Sequence, residues 1–175
     1  MKPYKYAYIG VNDSGRNTIL DKYHYKHSEC EFHGFIDKTK LYSSRDLLKA
    51  KMIRVISGNS SRKLVSFNDL IQNSAKLFLM GGLGAKTGNK YFPILSRMLS
   101  ENHVNIKCMV NTPFYFEGKT RQKSAEKVLK NLKLYSEVHA ISLQYILRKY
   151  GKMKMQKAFY RLMLMFFEWA ENKGS

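Results

Sequence analysis

The sequence contains few cysteines, few acidic residues and no long apolar run. Its only cysteines, Cys30 and Cys108, exclude a disulfide-bonded framework. Each lies in a short apolar run, which favours buried, reduced thiols and a reducing compartment. No stretch reaches the roughly 20 apolar residues that a membrane-spanning helix needs, and the opening "MKPYKYAYIG" has no signal-peptide pattern. We therefore expect a cytoplasmic protein without a transmembrane segment.

The shortage of acidic residues makes the chain strongly basic. It has 13 Asp and Glu against 31 Lys and Arg, a formal net charge of +18. Such a charge favours acidic partners, namely nucleic acid, nucleotides, anionic lipid or an acidic protein surface. The alternative is an ordinary basic domain whose lysines are solvated. A hydrophobic content of 44% over 175 residues predicts one globular domain with its own core.

One group of residue types that bind metals occurs in "HYKHSECEFH": His24, His27, Cys30 and His33. Their three-residue spacing would place them near one face of a helix. However, "CEFHGF" has the pattern of a strand, and a break between helix and strand would separate the four side chains. We predict no metal site.

Strand and helix patterns alternate along the chain, which predicts βαβ units and a mainly parallel sheet. The predicted fold is a three-layer, Rossmann-like α/β domain of about six strands flanked by helices, ending in a long apolar helix. Ligands of such sheets bind beyond the carboxyl ends of the strands. The strands are predicted at residues 6–11, 30–36, 52–57, 75–80, 104–111 and 138–143, and the helices at 12–23, 43–50, 66–73, 90–102, 119–134 and 144–171.

A glycine-rich loop follows the fourth predicted strand, in "FLMGGLGAKTGNKYFP". Gly82, Gly84 and Gly88 would let a phosphate approach backbone N–H groups at the start of a helix. The spacing matches neither a P-loop nor a clean GxGxxG pattern. Taken alone, the loop is as compatible with a turn that binds nothing as with a phosphate site.

Four segments resemble the tubulin/FtsZ family, in the same order along the chain. "LFLMGGLGAKTGNKYFPIL" resembles the family's glycine-rich signature, and "TPFYFEGKTRQKSA" resembles the segment after its fifth strand. "YIGVNDSGRN" is similar to its opening strand and loop, and "KAFYRLM" to the start of its long central helix. The resemblance extends from residue 5 to about residue 165.

The resemblance implies a nucleotide-binding domain at residues 1–150, and at 151–175 a helix that corresponds to the start of the central helix. It implies that GTP or GDP lies on the two glycine loops, with Glu117 and Arg121 at the ribose and Phe159 against the base. From the residues alone, an exposed ion pair is the favoured interpretation of Glu117 and Arg121, and a core aromatic is the favoured interpretation of Phe159. The candidate nucleotide-binding residues are Gly10, Asn12, Ser14, Gly15, Gly82, Gly84, Lys86, Thr87, Gly88, Pro113, Glu117, Arg121 and Phe159.

Both glycine loops depart from the family pattern. Asn12, Asp13 and Ser14 stand where the family has glycines, and the carboxylate of Asp13 would be unfavourable beside a phosphate. Ala85 and Lys86 replace two glycines of the signature, and added β-carbons narrow the approach of phosphate to backbone. We therefore expect nucleotide binding that is weak or lost.

The later parts of the family pattern are also incomplete. "GNSSRKLVSFNDL" lacks the glycine-rich loop that contacts the γ-phosphate, and Met163 replaces the residue that reads the guanine edge. Residues 1–175 include no segment that resembles the family's second domain or the loop with its catalytic aspartate. We expect no appreciable GTPase activity from the isolated chain.

The last predicted helix confines its polar residues to a narrow stripe, so the rest of its surface is apolar. This arc predicts either burial in the core or contact with a partner, either a filament protein of the FtsZ/tubulin type or a second copy. The resemblance implies a role in cell division or in filament regulation. The alternative is a basic nucleic-acid-binding protein on a degenerate nucleotide fold, supported by the charge and by "PYKYAY" and "DKYHYKH". A third hypothesis is a GTPase completed by an aspartate from another chain.

Overall fold

The computed structural model describes residues 4–12, 31–35, 51–56, 62–66, 72 and 74–172. The strands are β1 Tyr4–Gly10, β2 Glu31–Phe35, β3 Lys51–Ile56, β4 Arg62–Ser66, β5 Ser74–Gly82, β6 Ile106–Thr112 and β7 Glu137–Ser142. The described helices are α1 Lys86–Glu101, α2 Lys119–Leu132, α3 Leu143–Tyr150 and α4 Met155–Asn172, and a 3-10 turn spans Tyr115–Glu117.

The described strands form one sheet in the order β4-β3-β2-β1-β5-β6-β7. β1 is parallel to β2 and β5, and β6 is parallel to β5 and β7, whereas β3 is antiparallel to both of its neighbours. The chain passes from β1 toward one edge of the sheet and resumes at β5 on the other side of β1. Open α/β sheets bind ligands at such a reversal, beyond the carboxyl ends of the strands.

Side chains of the central strands alternate between two apolar layers, as the two-residue period of a strand requires. In β5, Leu77 and Leu79 lie in the layer that includes α1 and α2. Phe78 and Met80 lie in the opposite layer, which includes α3 and α4. Helices therefore cover both faces of a mainly parallel sheet, as the sequence predicts.

The described residues contain seven strands, one more than the predicted number of about six. Each of the six predicted strands is present, and the seventh, β4, pairs with β3 in an antiparallel arrangement. The sequence "RKLVS" is short and basic, features that are typical of an edge strand and weak as a strand signal. The predicted helices at residues 12–23, 43–50 and 66–73 lie largely outside the described residues.

Two helix boundaries also differ from the sequence prediction. α1 begins at Lys86, one turn earlier than expected, so Thr87 and Gly88 lie in its first turn. The single helix predicted from residue 144 onward is divided in two: α3 ends at Tyr150, and Gly151 begins the connection to α4. The predicted division of the chain at residue 150 stays a prediction.

α4 packs its apolar arc against the sheet. Its buried side chains include Leu162, Phe166 and Phe167, so much of the arc that the sequence left for a core or a partner is core. Phe159, near the start of the helix, remains 36% exposed. No described helix combines the length and the apolar character that crossing a bilayer requires.

Cys108 is a free thiol buried in β6, as predicted. Burial raises its pKa to about 12, against an ordinary value of 9.0, and the hydrogen bond with Ser136 opposes this shift. Cys30 lies outside the described residues.

Candidate functional site

The carboxyl ends of β1 and β5 lie side by side at the reversal of strand order. Gly10 is in register with Met80, and the backbone N–H of Val11 donates to the carbonyl of Met80 over 2.9 Å. Asn12, the last described residue after β1, therefore lies next to the glycine loop that begins at Gly82. This adjacency brings the start of the loop after β1 to the glycine loop.

The side chain of Asn12 joins these two loops. Its amide Nδ2 donates to the carbonyl of Gly82 over 2.7 Å, and its Oδ1 accepts from the N–H of Gly82 over 3.1 Å. Gly82 is buried, so both of its backbone polar groups have a partner supplied by one side chain. Asn12 thus binds the backbone of the glycine loop through its side chain.

Gly88 allows α1 to start directly against the end of β5. A Cβ at Gly88 would overlap with the carbonyl oxygen of Gly82 and lie 2.9 Å from the Nδ2 of Asn12. Any larger residue would push the first turn of α1 away from the sheet. The glycine is required by this close approach of two backbones.

Asn89 makes a second internal contact with the loop. Its Oδ1 accepts from the N–H of Gly84 over 2.8 Å, and its Nδ2 donates to the hydroxyl of Ser124 in α2 over 2.6 Å. The N–H of Leu83 donates to the backbone carbonyl of Asn111 over 2.8 Å. The N–H groups of residues 82, 83 and 84 are therefore all used inside the protein.

The loop after β6 closes the third side of the site. A Cβ at Gly84, whose φ is +91°, would lie 3.0 Å from the ring of Pro113 and 3.4 Å from the carbonyl oxygen of Arg121. Glu117 Oε1 accepts from the N–H of Phe114 over 2.9 Å, and Oε2 contacts Arg121 Nη1 at 2.7 Å. Asn12, the glycine loop and the loop after β6 therefore meet at one edge of the sheet.

Similarity searches identify curated relatives named cell division protein FtsZ. The protein of Mycoplasmopsis pulmonis is 29% identical over 101 residues, which are 57% of this chain and 26% of that protein. The protein of Rickettsia bellii is 26% identical over 132 residues, which are 73% of this chain and 28% of that protein. No model of a known protein family matches the sequence.

Solved structures share the fold. An empty FtsZ dimer of M. jannaschii superposes with a TM-score of 0.66 at 20% identity, covering 96% of this chain and 53% of that one. CetZ from Methanosaeta thermophila superposes with a TM-score of 0.57 at 13% identity, covering 92% of this chain and 51% of that one. The chain is related to the tubulin/FtsZ family. It spans about half of these solved relatives and about a quarter of the curated ones.

The glycine loop leads into a helix start that carries no side-chain cap. Ala85 is at the N-cap position without a capping hydrogen bond, and the first turn contains no acidic residue. Lys86 is exposed there, and Thr87 is half-buried. The uncapped N–H groups and the ammonium group of Lys86 give this point a positive potential, which attracts anions.

Some candidate residues are not brought into this cluster or cannot be placed. Ser14 and Gly15 lie outside the described residues. In the histidine–cysteine group, His24, His27 and Cys30 also lie outside them, and His33 falls in β2. Phe159 is on α4, which packs on the face of the sheet opposite to α1 and α2. Over the described part of the chain, His, Cys, Asp and Glu side chains form no group of three that could hold a metal.

The roles of Asn89 and Ser124 could not be predicted from the sequence. Asn89 stands out there only as a departure from the family signature, although it is the residue that binds Gly84. Asn89 lies four residues before Pro93, in the first turn of a helix. Nothing in the sequence around it indicates which way its side chain points. Ser124 is one of many polar residues in α2, and only the fold brings it to Asn89.

Proposed function

We propose that the chain is a guanine-nucleotide-binding module of the tubulin/FtsZ type, which binds GTP or GDP weakly and does not hydrolyse GTP by itself. The observation that carries the proposal is the uncapped start of α1, with Lys86 and Thr87, at the reversal of strand order between β1 and β5. A helix start at this point of an α/β sheet is suited to a phosphate.

The rim of the same site offers groups for the remainder of a nucleotide. Glu117 is held by the N–H of Phe114 and by Arg121, so its carboxylate has a defined position. Arg121 is 56% exposed and can also reach a ligand. We assign these two side chains to the ribose, as the resemblance implies. Phe159, which the resemblance assigns to the base, lies on α4, on the opposite face of the sheet, and is left out of this assignment.

Weak binding and the lack of hydrolysis are supported by the internal hydrogen bonds of the glycine loop. The N–H groups of Gly82, Leu83 and Gly84 already donate within the protein. Fewer donors then remain for phosphate oxygens and for the charge that develops on them during hydrolysis. The contribution of this loop to transition-state stabilisation is correspondingly small.

Titration of the purified protein with fluorescent GDP and GTP tests the proposal. We expect saturable binding, stronger competition by GTP than by ATP, and phosphate release no faster than in a protein-free control. Lys86→Glu should weaken binding by about tenfold, because it places a negative charge at the helix start. Lys90→Glu, one turn further along α1 and also exposed, is the matched control. Equal affinity in both variants and the parent would place the nucleotide elsewhere.

The proposed partner is a second copy of the chain or a filament protein of the same type. The solved M. jannaschii relative is described as an FtsZ dimer, and Phe159 leaves an apolar ring exposed on α4. Sedimentation velocity with and without GDP tests self-association. Phe159→Glu should abolish it, whereas Lys157→Glu, at an exposed position on the same helix, should retain it. A monomer under all conditions points to a different protein partner.

One surface favours nucleic acid as a second candidate ligand. Tyr115, Phe116 and Tyr145 are 59%, 72% and 44% exposed, and the guanidinium group of Arg148 lies 5.8 Å from the ring centre of Tyr115. Lys149 lies 5.4 Å from the ring centre of Tyr145. Every charged residue between positions 138 and 167 is Lys or Arg. Exposed rings among cations suit the stacked bases and phosphates of a single strand.

Fluorescence anisotropy with a single-stranded oligonucleotide at two salt concentrations distinguishes this candidate. Binding to this surface should weaken steeply with salt and should fall further in Phe116→Ala, because a stacking ring is lost. Leu134→Ala is the control, since Leu134 is 74% exposed and lies outside the surface. Binding that is unchanged in Phe116→Ala removes the support for this candidate.

A further inference from the structure

We infer that the side chain of Asn12 occupies the place of a phosphate group in the glycine loop, so that a nucleoside diphosphate binds only by displacing it. Asn12 would then determine the affinity of the site. The inference rests on the proposed nucleotide site.

The position of the Asn12 amide among the glycines supports this inference. A Cβ at Gly81 would lie 2.6 Å from Asn12 Oδ1, and one at Gly88 would lie 2.9 Å from Asn12 Nδ2. The amide therefore fills the space that these glycines leave open, between the end of β5 and the first turn of α1. Glycines at such a position otherwise allow a ligand to approach the backbone.

The hydrogen bonds of Asn12 explain why a phosphate would compete poorly. Asn12 Oδ1 accepts from the N–H of Gly82, as a phosphate oxygen would. Asn12 Nδ2 also donates to the carbonyl of Gly82, a bond that an ionised phosphate cannot make because it has no donor. Displacing Asn12 would thus leave a buried carbonyl without this partner, which is unfavourable.

Asn89 also binds the glycine loop, but its contacts differ from those of Asn12, so substitutions at the two positions should affect GDP binding differently. It contacts Gly84 from within α1, and its second amide contact ties it to Ser124 of α2. It therefore supports the loop from the helix side and does not lie among Gly81, Gly82 and Gly88. Removing Asn89 should loosen the loop without opening the space that Asn12 fills.

The test compares GDP binding by the parent protein and by Asn12→Gly. We expect the variant to bind GDP about tenfold more tightly, because no side chain must be displaced. Without nucleotide it should melt at a lower temperature than the parent, and GDP should raise its melting temperature more than that of the parent. Asn105→Gly is the matched control: Asn105 is exposed and precedes β6, at the opposite edge of the sheet. Asn89→Ala should not increase the affinity.

Two outcomes overturn the inference and can be told apart. If the parent binds GDP and Asn12→Gly binds equally or more weakly, Asn12 is not in the place of the phosphate, and the proposed function stands. If neither protein binds GDP, the proposed function fails and the inference fails with it. Asn12→Ser, which shortens the side chain and keeps a hydroxyl, gives the same comparison if the glycine variant does not fold.

Discussion

Gly88, in the first turn of α1, lies directly against the carbonyl oxygen of Gly82 at the end of β5. The contact sets the distance between the helix start and the sheet, and thereby the width of the candidate site. It also places Gly82 where the amide of Asn12 can pair with both of its backbone groups. Two glycines thus determine the geometry of the loop through the side chains that they lack.

Gly88→Ala should lower the free energy of unfolding by about 1–3 kcal/mol, because the new methyl group overlaps with backbone that cannot move freely. Helix propensity alone would give the opposite sign, since alanine is favoured over glycine by about 1 kcal/mol. Urea denaturation of the variant measures the change. Lys90→Ala, at an exposed site of the same helix, should be nearly neutral, and a stabilised Gly88→Ala would contradict the close contact.

Glu117→Ala should destabilise the protein more than Arg121→Ala. Glu117 accepts from the N–H of Phe114, a buried residue, and its loss leaves that donor unpaired at a cost of about 1–2 kcal/mol. The ion pair is largely exposed on the Arg121 side, 56% for that side chain, so loss of Arg121 should cost less than about 0.5 kcal/mol. Chemical denaturation of both variants gives the comparison. Equal losses would mean that the ion pair dominates.

Asn89→Ala should lower the free energy of unfolding by about 1–2 kcal/mol, because it leaves the N–H of Gly84 without its acceptor. Ser124→Ala should cost less, because Asn89 can still accept from Gly84 when its other contact is lost. Hydrogen exchange at the amide of Gly84 reports the loop directly. It should become faster in Asn89→Ala and change little in Ser124→Ala; the reverse order would show that α2 holds the loop.

Cys108 should destabilise the fold in alkaline solution. Its pKa is raised by burial from 9.0 in the unfolded chain to about 12 in the folded one, so the folded state retains the proton more strongly. The contribution of the thiol to stability is complete below pH 9 and is lost as the pH rises through about 12. Cys108→Ala should therefore flatten the alkaline decline of stability relative to the parent. An identical decline in both proteins would exclude Cys108 as its cause.

The alternation of strands and helices could be predicted because each central strand is apolar on both faces. Phe78 and Leu79, adjacent in β5, are both buried in opposite layers, and such strands appear in sequence as continuous apolar runs. β4 could not be predicted in the same way, because an edge strand such as "RKLVS" needs no such run.

The sequence indicates where the candidate site lies, but it does not predict the contacts inside the site. Glycines before a helix indicate a place where two backbone segments come close together. Gly82 and Gly88 are such a pair, because a Cβ at Gly88 would overlap with the carbonyl oxygen of Gly82. The direction of Asn12 depends on a strand pairing between distant segments, which no local pattern encodes. A residue that replaces a glycine of a family signature can as well point outward, and only the folded chain shows that this one points inward.

The position of β1 in the centre of the sheet has a consequence for the order in which the chain folds. Tyr6 pairs with Glu31 on one side and with Lys76 on the other, so both neighbours of β1 come from distant segments. By contrast, β5, α1, β6, α2 and β7 follow one another and can form a parallel unit from sequential pieces. Closing long loops slows folding because of its entropic cost. β1 is therefore synthesised before β5, one of the two strands with which it pairs. The glycine loop reaches its final conformation only after β1 has joined the sheet.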